Sequence, residues 1–149
     1  MKVTDQDSAM DIPAGYRIAD VMDPFEMRAG PYFCTLDGAD DPHLLLITNN
    51  THCNRLGPVH GGCLMTMMDL WLCQTAVTGF KHQEEMVTIS MTSTFVGACF
   101  AGDHLIARAQ VLKRTHRMVF VQGQITRGDD PVFSANAVLK RARHPQPDP

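Results

Sequence analysis

The sequence has no concentration of positive charge. Its 13 Lys and Arg are outnumbered by 16 Asp and Glu and lie scattered through 149 residues, which leaves no electrostatic footprint for nucleic acid. No apolar run follows the lone Lys2 in "MKVTDQDSAMDIPAG", so the N-terminus does not read as a signal peptide. There is no CxxC pair, and the cysteines, Cys34, Cys53, Cys63, Cys73 and Cys99, are odd in number. A disulfide framework and a zinc cage are therefore not expected, and free thiols in a cytoplasmic protein are. No internal repeat is visible. A chain of this length forms one domain around one core, removing roughly two thirds of its unfolded surface from water.

What is present is a long apolar stretch from Gly61 to Phe80, "GGCLMTMMDLWLCQTAVTGF", with the single formal charge of Asp69 in its middle. It carries Asp69, Gln74, three Thr and three Gly and has no basic flank, which argues against a membrane span and for a buried core helix. Its apolar residues occupy every face rather than one stripe, so the helix has to be surrounded.

On either side the texture is that of strands. "YFCTLD" and "HLLLITNN" flank the turn signal "DGADDP" and predict a hairpin. From Val87 the period is two: Val87, Ile89, Met91 and Phe95 alternate with Thr88, Ser90, Thr92 and Thr94, as in a strand with one face on a core. Three more strands follow in "DHLIARAQVLKR", "RMVFVQGQIT" and "PVFSANAVLKRA". Residues 1–29 read as a lead-in with a short helix near Tyr16 to Met22 and a turn-rich "DPFEMRAGP", residues 30–142 as the domain, and residues 143–149 as a flexible tail. Two strands, one engulfed helix and four strands make an α+β architecture in which an antiparallel sheet curls around one long central helix, the hotdog fold.

An ionised carboxylate inside such a helix is costly unless it is paired or has a chemical task. Asp69 has no basic residue within reach along its own helix; either it hydrogen-bonds in the core or it is reactive. At the helix start, "GPVHGG" places Gly61 and Gly62 where backbone N–H groups lack intrahelical acceptors and no Cβ blocks a ligand carbonyl. That is the requirement for an oxyanion hole, and equally for a tight loop-to-helix turn. The eight residues between Gly61 and Asp69 span ~12 Å of helix rise, so one chain cannot aim both groups at one carbonyl. Two such helices, antiparallel across a two-fold axis, can.

The pattern N-x-x-G-x-V-H-G-G from Asn54, followed by Asp69 two turns on, resembles the hotdog acyl-CoA thioesterases of the phenylacetate-degradation (PaaI) type. The likeness extends through "VTISMTSTFV" and "GDHLIARAQVLKRTHRMVFVQGQI". It implies hydrolysis of a small or medium, or aromatic, acyl-CoA to the free acid and CoA, with no cofactor and no metal. It also implies a homodimer or a homotetramer built as a dimer of dimers, with the active site at the subunit interface and no nucleic-acid or membrane partner. By the same resemblance Asp69 is the nucleophile or general base, Gly61 the oxyanion donor, Asn54 the group that orients substrate or water, and Thr88 a hydroxyl helper. His60 and Gly62 then contact the substrate carbonyl end, and Arg114 and Arg117, with Lys113 and His116 beside them, are candidates for the CoA phosphates. Cys73 departs from the pattern, standing where some relatives carry a helping hydroxyl. Competing readings are a Cys63 nucleophile activated by the helix N-terminus and His60, metal ligation by His52, Cys53 and His60, a non-catalytic acyl-CoA binding module, and a hotdog hydratase.

Overall fold

The computed structural model of the chain describes residues 11–19, 23–80 and 85–142. Its elements are β1 (Tyr16–Ile18), α1 (Pro24–Ala29), β2 (Tyr32–Thr35), β3 (Leu44–Ile47), a 3-10 turn (Asn50–His52), α2 (Gly61–Val77), β4 (Met86–Phe95), β5 (His104–Arg114), β6 (Met118–Arg127) and β7 (Asp130–Arg141). All seven strands form one antiparallel sheet in the order β1-β2-β3-β5-β6-β7-β4. Because β3 and β4 are separated in the sheet by β5, β6 and β7, the chain joining them has to cross the sheet, and α2 is that crossing. This makes α2 the central helix of a hotdog fold.

The core lies between α2 and the concave side of the sheet. Leu64, Met67, Met68, Leu72 and Ala76 of the helix meet Leu44 and Leu46 of β3, Leu105 and Ala107 of β5, Val119, Val121 and Ile125 of β6, and Phe133, Ala135 and Leu139 of β7, all buried. Each of the larger side chains contributes roughly 1.5–3 kcal/mol by leaving water. Within the chain the helix is not covered all round: Gly62 and Met65 are exposed, with Thr66, Asp69 and Cys73 half-buried on the same stripe. Among the described residues no helix is long and apolar enough to cross a membrane.

Several local expectations are revised. The helix expected near Tyr16 to Met22 is, over Tyr16–Ile18, a strand paired with β2, so the lead-in adds an edge to the sheet; residues 20–22, like the tail 143–149, lie outside the described residues. The segment "DPFEMRAGP" contains a helix, since Pro24 opens the first turn and the Glu26 carboxylate accepts the Asp23 N–H at 2.9 Å. Helix α2 stops at Val77, three residues early. Gly79 takes φ +90°, a left-handed conformation that ends helices, and Arg114 donates to the Ala76 and Thr78 carbonyls.

The simple alternation expected for β4 also fails. Residues opposite one another in a ladder share a face, and Thr88 lies opposite buried Leu139 while Val87 lies opposite exposed Lys140. A bulge between Thr88 and Ser90 shifts the phase, so Thr88, Met91, Ser93 and Phe95 face the helix and Val87 faces away. A second bulge, between Val111 and Lys113 of β5, puts Arg114 opposite buried Val119 and turns it inward.

Candidate active site

The inward turn of Thr88 has a chemical result: its hydroxyl donates to Asp69 Oδ1 at 2.6 Å. Cys73, one helical turn beyond Asp69, has its sulfur 3.7 Å from the same Thr88 oxygen. Since the Thr88 proton is committed to Asp69, the thiol is the donor in that contact, and Cys73, Thr88 and Asp69 form a short chain. Burial pushes the Cys73 thiol up to about 11, with the negative charge of Asp69 adding to the rise, so it remains a neutral donor. Asp69 is only half-buried and lies on the open stripe of α2.

Near Asp69 is a carboxyl that the sequence reading missed. Burial raises the pKa of Glu26 on α1, against the lowering effect of the Asp23 N–H bond, and the charges of Asp23 and Asp69 raise it further. The capping signature Asp23-Pro24-Phe25-Glu26 could have located α1; its packing against α2 could not be read from it.

At the other end of α2, His60 is the N-cap, and its Nδ1 accepts the Gly62 N–H at 2.9 Å. The ring proton is thereby assigned to Nε2, which remains a donor. The Cys63 N–H goes to the His60 carbonyl at 2.9 Å. Gly62 is thus occupied by the cap, whereas the Gly61 N–H donates to none of the described residues and is the free donor of the first turn. A Cβ on Gly61 would lie 2.8 Å from the Phe95 ring. Phe95 was not singled out by the sequence; inward on β4 and half exposed, it stands edge-on to Phe133 at 5.0 Å and walls the Gly61 end of the site.

Asn54 belongs to the loop ahead of α2. Its Oδ1 accepts the Leu56 N–H at 2.8 Å, forming the turn that returns the chain to α2, and its Nδ2 is left for other partners. Within one chain, Asn54, His60 and Gly61 gather at the helix start, and Thr88 and Asp69 at its middle; the chain does not bring the two groups together.

The remaining candidates have other surroundings. The Arg114 guanidinium is fastened to the Ala76 and Thr78 carbonyls and stacks over Phe80 at 4.8 Å, so it closes the C-terminus of α2, while Arg117 is exposed in the β5–β6 turn. His52 is buried, accepts the Asn49 N–H at 2.9 Å and sits 3.3 Å from the Gly30 carbonyl. The Cys63 thiol is pushed up to about 11, first by burial. That is the reverse of what a cysteine nucleophile needs.

A family model described as the thioesterase superfamily matches residues 56–134, from the loop before α2 into β7. The chain belongs to this superfamily. It is a thioester hydrolase on a hotdog fold. A presumed esterase of Pseudomonas aeruginosa is 30% identical over 130 residues, which cover 87% of this chain and 97% of that protein. Among solved structures, a Bacillus halodurans protein crystallised with CoA superimposes with a TM-score of 0.69 at 18% identity, over 75% of this chain and 74% of that chain. A presumed thioesterase of Ralstonia eutropha related to phenylacetic acid degradation gives 0.66 at 19% identity, over 82% and 93%. The matched region holds Gly61, Asp69 and Thr88.

Proposed function

We propose that the protein hydrolyses a small or medium acyl-CoA thioester, aliphatic or aromatic, to the free acid and CoA, with Asp69 as the reactive carboxylate. The observation that carries this reading is the 2.6 Å hydrogen bond from Thr88 to Asp69 on the open stripe of α2. A carboxylate tolerated there for packing would be shielded; this one is oriented by one oxygen and accessible. Asp69 either attacks the thioester carbonyl to form an acyl anhydride that water then hydrolyses to the free acid, or takes a proton from the water that attacks the carbonyl. The developing oxyanion takes the Gly61 N–H, His60 Nε2–H and the Asn54 amide orient the acyl carbonyl, and the thiolate leaves as CoA. The neighbour crystallised with CoA and the free thiols of all five cysteines support a CoA substrate and a cytoplasmic setting.

The site is completed by a second copy of the chain. Strand β4 is an edge strand that leaves Val87, Ile89, Phe95 and the following Val96 half exposed, a surface that monomeric proteins protect. Pairing there across a two-fold axis would set two α2 helices antiparallel and bring Gly61 of each toward Asp69 of the other, removing the ~12 Å separation within one helix.

The test is thiol release from phenylacetyl-, acetyl- and hexanoyl-CoA by the wild type and by Asp69→Asn. The wild type should turn over at least one, and Asp69→Asn should lose at least 100-fold in kcat with an unchanged or higher Tm. Full turnover by a folded Asp69→Asn variant would remove Asp69 from the mechanism.

A further inference from the structure

Helix α2 lines a cavity on the side away from Asp69. At 3.6 residues per turn, Trp71 and Gln74 lie about 140–160° around the axis from Asp69. There they wall a cavity of about 610 Å³ between α2, the β2–β3 turn and β5, with Leu44, Leu70 and Ala109 completing its apolar sides. The volume falls within the roughly 300–1,000 Å³ of small-molecule sites. A helix ~10 Å across separates it from the Asp69 carboxylate.

Three polar groups on the α2 side of the lining have no hydrogen-bond partner among the described residues: the Gln74 amide, the Thr75 hydroxyl and the Trp71 indole N–H. The Gln74 and Thr75 groups are neutral, and they line the cavity beside the apolar side chains of Leu44, Leu70, Trp71 and Ala109. The charges at the mouth are already balanced: Arg17 pairs with Asp37 at 3.2 Å, and Arg108 grips both oxygens of Asp41 at 2.7–3.0 Å. An anion would have to draw an arginine from its carboxylate while facing Asp37 and Asp41, whereas a neutral molecule meets no such opposition.

We propose that this cavity is a binding site, separate from the Asp69 site, for an uncharged amphipathic small molecule. Its apolar body packs against Leu70 and the Trp71 ring, and its amide or similar carbonyl-bearing head exchanges hydrogen bonds with Gln74 and Thr75. The inference is independent of the role assigned to Asp69.

Trp71 is the one tryptophan in the sequence, so its emission reports the cavity. The full-length protein is titrated with 2-phenylacetamide and with phenylacetate, an anion of nearly the same shape. The amide should shift Trp71 emission saturably, and the anion should bind at least tenfold more weakly. Gln74→Leu should weaken amide binding about tenfold. Ala109→Leu, which fills the cavity from β5 without altering Gln74, should abolish it, and Asp69→Asn should leave it unchanged. The proposal is overturned by the absence of a saturable response up to the solubility of the amide, by equal or tighter binding of the anion, by a response that survives Ala109→Leu, or by loss of the response in Asp69→Asn. If circular dichroism shows Ala109→Leu unfolded, Gln74→Leu decides: unchanged affinity in that variant overturns the proposal.

Discussion

Thr88 Oγ1 donates a 2.6 Å hydrogen bond to Asp69 Oδ1, joining an edge strand to the one charged residue of the central helix. The bond fixes one carboxylate oxygen and leaves the other without a hydrogen-bond partner among the described residues. Thr88→Val should therefore lower kcat about 10–100-fold with little change in KM, and Thr88→Ser should restore most of it. Steady-state thiol release checks this, and a Val variant with wild-type kcat would leave the hydroxyl without a catalytic part.

If the site is shared between chains, two inactive variants should complement. Asp69→Ala removes the carboxylate, and Gly61→Val places bulk beside the Gly61 N–H and against Phe95. In a mixed dimer one site inherits both lesions and the other neither, so activity should return to about half the wild-type sites within the heterodimer fraction. Native mass spectrometry establishes that chains have exchanged; verified exchange with no recovered activity would place the site within one chain or show that Gly61→Val damages more than the donor.

Arg114 and Arg117 are close in sequence, and their surroundings predict opposite phenotypes. Loss of the Arg114 bonds to the end of α2 should cost about 1–2 kcal/mol and lower the Tm of Arg114→Ala. Arg117→Ala should leave Tm unchanged and raise KM for acyl-CoA more than it lowers kcat, with a weaker salt dependence of KM. Calorimetry combined with KM measured at low and high salt separates the two; an unaltered KM in Arg117→Ala would place the CoA phosphates elsewhere.

Cys63 and Cys73 have thiols pushed up to about 11 from an ordinary 9.0, chiefly by burial. A raised value favours the neutral thiol, so near neutral pH both should alkylate slowly, with rates climbing roughly tenfold per pH unit toward 11. Iodoacetamide at neutral pH should leave turnover intact over the time in which a free thiol reacts fully. Mass spectrometry of the Cys63 and Cys73 peptides provides the check, and activity lost in step with Cys63 modification would favour a cysteine nucleophile.

The sequence by itself carried the architecture. An apolar helix without a polar face requires a sheet wrapped around it, and the order of strands about Gly61–Val77 follows from turn residues and period two, both local signals. The nomination of Asp69 was also legible, because one carboxylate in an apolar helix is conspicuous on cost alone. What tertiary structure decided is where side chains point after the alternation slips. The bulges at Ile89 and Leu112 each insert one residue, reversing the facing of Thr88 and Arg114, and nothing in the local residue pattern marks those positions. One reversal brings Thr88 onto Asp69 and the other sends Arg114 to the end of α2. The division between a Gly62 N–H taken by His60 and a free Gly61 N–H, the approach of Glu26 and Phe95, and the cavity behind α2 likewise depend on contacts between segments distant in sequence. Periodicity reports the average face of an element, whereas a site is set by the particular residues at which that average is broken.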